Sequence, residues 1–381
     1  MLPSSTCVFF LKIIVLFTVV FSSTAAILPA PPKVNAESYL VMDYESGHII
    51  AGENITERVE PASLTKMMTT HVVAEELAAG NIGLEDEVVI SEKAWRMKGS
   101  RMFIEVDTRV TVSDLLKGVI IQSGNDASVA LAEYISGTEE AFASMMNEYA
   151  RQLGMVNTNF MNSTGWPQEN HYTTAEDMAA LARALIREHP DIYSLHAIKE
   201  FTYNGIKQHN RNNLLWRDDS VDGIKTGHTE NAGYCLVASA KRDNMRLISV
   251  VMGSDDENAR IRATQSLLNF AFRFYETHKL YEPGQAVTTS QVWKGNSDTI
   301  NLGVNERLWI TVPRGSYDDL DIRTDTDKTI IAPVEKGAVY GKLVVSLDGR
   351  ELAKRSLIAL ESINEGSLFE RLKDEVRLLF Q

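Results

Sequence analysis

Cysteine is almost missing from this 381-residue chain, which leaves no material for a disulfide framework. Cys7 falls in an apolar N-terminal segment. Beyond it only Cys235 remains, inside the strand-like run Gly233-Tyr-Cys-Leu-Val-Ala-Ser239, where a thiol reads as a buried, inert side chain. The histidines are scattered, with no His-x-x-x-His or Cys-x-x-Cys pair, so neither a metal nor another cofactor is expected. Basic charge is scarce too: 38 Lys and Arg face 51 Asp and Glu, a formal net charge of −13. With no basic stripe to offset that balance, the composition argues against nucleic acid as a partner.

Long apolar runs are confined to one place. Residues Val8 to Leu28 are almost all apolar, interrupted mainly by Lys12 and Ser22-Ser-Thr24. A Pro-rich stretch follows, then Val34-Asn35-Ala36, whose small residues suit signal-peptidase cleavage before Glu37. Residues 1–36 are therefore expected to be an export signal. An uncleaved anchor is the alternative, but no basic stop-transfer cluster follows the run. Cleavage removes Lys12 and Lys33 and no acid, so the charge moves from −13 to −15 and 345 residues remain. That length accommodates one sizeable core and a second domain.

What is present reads as mixed α and β. Residues 39–52 alternate around a turn at Gly47, the pattern of a hairpin. Pro61 suits the first position of a helix carrying Met67, Met68, Val72, Val73 and Leu77. Helical segments are expected at 126–134, 139–153 and 174–187, strands at 234–240 and 246–253, and a closing helix at about 259–277. Asn204 to Trp216 is polar and turn-rich. Together these give an α+β domain, one sheet flanked by helices, over residues 37–284. Past Tyr281-Glu-Pro-Gly284 come short β-patterned runs separated by Pro313-Arg-Gly315 and Leu347-Asp-Gly349, so a small all-β domain is placed at 285–360. The remaining 361–381 hold a linker and a short helix capped by Ser367. Its Leu368, Phe369, Leu372, Val376, Leu379 and Phe380 fall within about 120° of arc. Such a helix is marginal alone and needs a surface, either a membrane or the protein's own domains.

Three short segments carry chemistry: Ser63-Leu-Thr-Lys66, Ser123-Gly-Asn125 and Lys225-Thr-Gly227. A serine hydroxyl needs a base to act as a nucleophile, and Lys66 lies three residues along the same helical face. Lys66 serves as that base only if its pKa falls, which burial and a second cation such as Lys225 bring about. Asn125 offers a carbonyl toward Lys66 and an amide toward a substrate. Ser123 is placed to relay a proton to a departing amine. At Gly227 the missing side chain is expected to let substrate approach the strand edge as an added strand. Each motif is weak alone; their order and joint occurrence point to a serine acyl-transfer enzyme.

The three motifs, with Ile120-Ile-Gln-Ser-Gly-Asn-Asp-Ala127 and Val221-Asp-Gly-Ile-Lys-Thr-Gly-His-Thr229 around them, resemble the low-molecular-mass penicillin-binding proteins. These are serine-type D-alanyl-D-alanine carboxypeptidases of the penicillin-binding protein 5 and 6 type. The likeness spans essentially the whole exported chain, including Asn210 to Trp216, Arg246 to Val250, Phe272 to Glu276 and Val292 to Gly295. It implies a β-lactamase-like catalytic domain, a β-sandwich domain, and a terminal amphipathic helix holding the enzyme on the periplasmic face of the inner membrane.

It also implies roles. Ser63 is the acylated nucleophile, Lys66 its base, Ser123 the proton relay, Asn125 the peptide-orienting group and Lys225 an aid to the relay. The backbone N–H groups of Ser63 and His228 form the oxyanion hole. Thr226, Gly227 and Thr229 line the substrate strand, and Arg260, or less directly Arg211, meets the terminal carboxylate. The implied substrate is the peptidoglycan stem pentapeptide, and β-lactams acylate the same serine. Three alternatives stand beside this: a D,D-endopeptidase on cross-links, a penicillin-binding structural protein with negligible turnover, and a β-lactamase using Glu169 in Pro167-Gln-Glu-Asn170. The oligomeric state is not set by the sequence.

Overall fold

A computed structural model describes residues 28–379, so most of the expected export signal, and Phe380 of the tail stripe, lie outside the described residues. At its centre is a five-stranded antiparallel sheet. Its order is Ile49–Glu53, Ser38–Asp43, Met245–Ser254, Gly233–Arg242 and Val221–Thr229. The two middle strands are covered on both faces, which explains why they read as near-continuous apolar runs rather than as alternating ones.

One face packs against the helix Glu257–Phe274 through Ile261, Leu267, Leu268 and Ala271. That helix starts where the Asp256 side chain accepts a hydrogen bond from Ala259 N at 2.7 Å, satisfying one of its orphan donors. The opposite face carries the helices Lys66–Ala78 and Ala175–Glu188, whose Met67, Met68, Met178 and Leu181 meet Val237, Ile248 and Val250. Farther from the sheet, a helical cap gathers Met102, Leu115, Leu116, Val119 and Leu131 into a core of its own. The functional segments lie where this cap meets the edge strand Val221–Thr229.

Two expectations need correction. The closing helix stops at Phe274, not near Thr277, because Tyr275–Tyr281 is a strand paired antiparallel with Leu308–Pro313. The extended backbone of Tyr275 (φ −124°, ψ 159°) ends the helix there, and the alternating sequence that follows suits a strand. Within the polar stretch 204–216 the structure has the second half of a small hairpin, Glu200–Tyr203 paired with Ile206–His209. The two-residue Asn204-Gly205 turn, both residues at positive φ, closes it.

The C-terminal part is β-rich. A six-stranded sheet, ordered 321–326, 339–347, 350–359, 299–303, 286–293 and 330–331, encloses Ile300, Leu302, Leu343, Val345 and Leu357. The paired strands Tyr275–Tyr281 and Leu308–Pro313 meet the first part through a buried polar knot. Asp43 accepts from Ser46 N at 2.7 Å and from Thr277 Oγ1 at 2.7 Å, and Ser46 Oγ lies 2.6 Å from Thr311 Oγ1. The last helix, Leu368–Leu378, begins in a capping box: Ser367 Oγ accepts from Glu370 N at 3.3 Å, and the Glu370 carboxylate accepts from Ser367 N at 2.7 Å. It docks by its polar side. Asp374 is buried and accepts from Lys294 N at 2.7 Å, and Lys294 Nζ pairs with Glu375. Leu368, Phe369, Leu372, Val376 and Leu379 point outward, 51–84% exposed. Among the described residues no helix is long and apolar enough to cross a membrane.

Candidate active site

Ser63 sits in the short 3-10 turn Ala62–Thr65, which leads directly into the helix starting at Lys66. The Lys66 side chain is fully buried, and its Nζ has three neighbours. Asn125 Oδ1 lies 2.7 Å away, Thr164 O 2.6 Å and Ser63 Oγ 3.1 Å. Two of these can only accept. A neutral amine has two N–H donors and one lone pair, so donating to Asn125 and Thr164 leaves the lone pair for the Ser63 hydroxyl proton. Burial is the leading cause of a shift that takes Lys66 down to about 7, against the opposing pull of Asp126 and Glu139. A pKa near 7 makes the neutral amine accessible, and the hydrogen-bond geometry accommodates it.

Asn125 opens the helix Asn125–Ser136, just after a turn in which Ser123 takes the left-handed conformation (φ 63°, ψ 37°). That conformation is costly for a residue with a side chain, and it is a form of strain that clusters at functional sites. Asn125 Nδ2 donates to Lys98 O at 2.6 Å, which fixes the amide so that its oxygen faces Lys66. One N–H of the amide is thus committed to the protein, and the other remains for a substrate. Ser123 Oγ accepts from Lys225 Nζ at 2.8 Å. Lys225 is fully buried, and its amine lies well below the usual lysine range through burial first, then the charges of Lys66, Arg260 and Arg211.

The edge strand passes beside the nucleophile turn, and Gly227 is what lets it. A Cβ there would meet Pro61 O at 3.1 Å and Ala62 Cβ at 3.3 Å. The missing side chain admits the turn carrying Ser63 rather than an incoming substrate strand, a correction to the reason expected from sequence. Thr226 is buried and His228 is exposed, its ring 4.1 Å from that of Tyr234. Thr229 Oγ1 accepts from Ala232 N at 3.0 Å and reaches Glu60 at 3.4 Å.

Two adjoining clefts share Ser63, Ser100 and His228. The larger, about 540 Å³, runs past Asn125, Trp166 and Thr229. The smaller, about 270 Å³, is bounded by Ser123, Thr226, Arg211 and Arg260. Arg260 is only 6% exposed, so it is not a solvated helix-start arginine. It donates to Gly227 O at 3.4 Å and lies over the Tyr234 ring, and its Nε has no partner. Arg211 lines the same cleft while exposed to solvent. Glu169 is exposed and lines neither cleft.

Several contributors were not legible as motifs. The carbonyl of Thr164 is held by a knot in which Asn162 Oδ1 accepts from Thr164 N, Gly165 N and Trp166 N at 2.8–3.2 Å. Glu139 anchors the same loop, accepting from Ser163 N at 3.1 Å and Ser163 Oγ at 2.8 Å. Asp126 accepts from Met102 N at 3.0 Å and Phe103 N at 2.9 Å, fixing the loop that presents Lys98 O. Asp126 adjoins Ser-Gly-Asn, which is a signal of sorts. Glu139 and Asn162 gave none.

A buried lysine aimed at a serine, beside an open groove along an antiparallel sheet edge, defines a serine acyl-transfer enzyme of the lysine-base type. Residues 25–256 match the family described as D-alanyl-D-alanine carboxypeptidase, and residues 275–365 match the C-terminal domain of penicillin-binding protein 5. The chain is 44% identical over 357 residues to D-alanyl-D-alanine carboxypeptidase DacC of Escherichia coli, covering 92% of this chain and 89% of that protein. Crystal structures of penicillin-binding protein 5 from Haemophilus influenzae superpose with a TM-score of 0.86 at 44% identity, covering 88% of this chain and all of that one. Penicillin-binding protein 6B of Escherichia coli gives 0.73 at 33% identity, covering 87% of this chain and 98% of that one. The chain belongs to the D-alanyl-D-alanine carboxypeptidase family, in its low-molecular-mass penicillin-binding protein 5/6 branch.

Gly165 offers a sharp test of this geometry. It has φ +82°, and a Cβ there would overlap the Ala62 carbonyl beside the nucleophile. Gly165→Ala is expected to slow acylation by a fluorescent penicillin at least about tenfold by displacing reacting groups on the ångström scale. The labelling rate in a gel time course measures it.

Proposed function

We propose that Ser63, with Lys66 as its base, removes the terminal D-alanine from peptidoglycan stem pentapeptides through an acyl-enzyme. The observation that carries this reading is the contact between Lys66 Nζ and Ser63 Oγ, with the other two contacts of the amine occupied by acceptors. As Ser63 Oγ attacks the carbonyl between the two D-alanines, its proton passes to Lys66. Charge then develops on the carbonyl oxygen, where the backbone N–H groups of Ser63 and His228 serve as donors. The proton taken up by Lys66 passes on through Ser123, which Lys225 contacts, to the departing D-alanine amine, so Lys66 is neutral again before water attacks. Asn125 orients the peptide from one side of the groove, and Thr226, Gly227 and Thr229 do so from the other. Arg260, with Arg211 at the rim, supplies positive charge for the terminal carboxylate. Water attacks the ester carbonyl next, releasing the tetrapeptide and restoring the hydroxyl. Penicillins acylate the same serine through their strained amide.

For domain organisation we propose a catalytic unit over 37–284 after an export signal, a β-domain over 285–360, and a linker and helix over 361–381. The helix is the anchor to the outer, periplasmic face of the inner membrane. Support comes from its docking: polar contacts hold one side to the β-domain while the apolar stripe remains exposed. An amphipathic helix presented this way lies in a lipid interface and does not span it.

Intact-mass measurement after benzylpenicillin should show one covalent adduct on the native chain and none on Ser63→Ala; an adduct on the variant would remove Ser63 as nucleophile. Lys66 must be unprotonated to accept a proton, and its amine is taken down to about 7. The acylation rate is therefore expected to be flat above that pH and to fall about tenfold per pH unit well below it. A profile with no inflection between pH 6 and 8, roughly the range in which a base of this kind titrates, would count against a lysine base. Deleting 367–381 should shift the protein from the membrane to the soluble fraction with carboxypeptidase activity retained. Unchanged fractionation would eliminate the anchor.

A further inference from the structure

The sequence holds no local metal-binding pattern, yet folding assembles a two-histidine, two-glutamate cluster behind the nucleophile helix. We propose that His71, Glu75, Glu188 and His189 form a binding site for a divalent first-row transition-metal ion of the zinc class. The site fastens the helix Lys66–Ala78 to the junction at the end of the helix Ala175–Glu188.

The donor atoms of all four side chains lie within 4.8 Å of one another. His71 and Glu75 are one turn apart and share a helical face. Glu188 closes its helix, and His189 follows in a kinked conformation (φ −128°, ψ 57°) before Pro190 starts the next one. That kink brings the His189 ring to an edge-on contact with His71, centroids 5.2 Å apart. His189 Nε2 lies 2.8 Å from Glu75 Oε1, and His71 Nε2 lies 3.8 Å from the same oxygen.

The state of His71 is what a simple packing role leaves unexplained. Its ring is 1% exposed, its Nδ1 has no hydrogen-bond partner, and its Nε2 stands beyond hydrogen-bond reach of Glu75. The buried rings of His171 and His196 also leave one nitrogen unpaired, but each bonds through the other, to Thr65 Oγ1 and to Ile224 O. Tyr149 packs edge-on against the ring and fixes its plane. Among the described residues neither Glu75 nor Glu188 pairs with a lysine or arginine, so the carboxylates are not neutralised by the protein. Glu188 is exposed and Glu75 half-buried, which opens the cluster to solvent on that side.

The donor chemistry narrows the ion. Two imidazole nitrogens and two carboxylates make a four-donor set that suits tetrahedral zinc at about 2.0–2.2 Å. Calcium and magnesium favour all-oxygen shells. None of the four side chains lines either cleft of the active site. Its effect is on how firmly the helix bearing Lys66 is held, and no step of the acyl transfer passes through it.

The test uses the purified, untagged full chain in detergent, stripped with a chelator and titrated with zinc chloride by calorimetry and with cobalt chloride by absorption. One equivalent should bind saturably, cobalt should show visible bands of tetrahedral intensity, and zinc should raise the unfolding temperature. His189→Gln, at the junction after the second helix, should weaken binding at least about tenfold while metal-free penicillin labelling is unchanged. His71→Gln is the second variant, and unaltered labelling shows that it has folded. Absence of saturable binding overturns the proposal, as does an affinity that His189→Gln leaves unchanged, because the ion then sits elsewhere. Neither result touches the assignment of Ser63 and Lys66, which the labelling experiment reads separately.

Discussion

A single buried amine governs the arrangement of this molecule's reacting groups. Lys66 has no solvent of its own, so every contact it makes must come from the protein. Asn125 Oδ1 at 2.7 Å and Thr164 O at 2.6 Å supply two of them. Both are acceptors held by other bonds, and the hydroxyl of Ser63 occupies the third direction. Removing an ammonium from water is expensive enough that the neutral form competes near neutral pH, even with two carboxylates in the neighbourhood. Burial prevails over them, and a poor base at the surface becomes a usable one inside.

The rest of the helical domain serves that geometry. Glu139 and Asn162 tie the loop that carries the Thr164 carbonyl, while Asp126 ties the loop whose Lys98 carbonyl orients Asn125. The helix from Lys66 is packed against the sheet by Met67 and Met68, so the nucleophile turn has little freedom. On the opposite wall the edge strand approaches closely because Gly227 lacks a side chain facing Pro61 and Ala62. Electrostatics divide the groove accordingly. Arg260 and Arg211 concentrate positive potential at one end of the groove in a protein whose net charge is −13. A negatively charged peptide end is drawn to this local exception.

Much of this was legible in the order of residues, for identifiable reasons. Ser63 and Lys66 share a helical face through the fixed period of the backbone, and the central strands announce themselves by unbroken apolar stretches. The Ser367 cap and apolar stripe of the tail were equally local. Less legible was anything decided across space. Tyr275 to Thr277, the start of the strand Tyr275–Tyr281, looked like more helix because the strand's partner lies some thirty residues on, at Leu308–Pro313. Glu139 and Asn162 look like an ordinary helix start and a loop asparagine until folding places them around Ser163 and Gly165. Gly227 was noticed for a reason other than the one its environment gives. The histidine cluster is invisible in the sequence because its members come from two separate helical regions.

The central claim concerns one proton, and NMR titration of Lys66 reads it directly. With lysine labelled at Cε and the signal assigned by a Lys66→Arg variant, chemical shift is followed against pH in the unreacted enzyme. The account predicts a transition near 7, as the buried amine loses its proton. A transition remaining above about 9, close to that of a solvated lysine, would contradict it and leave Ser63 without its base.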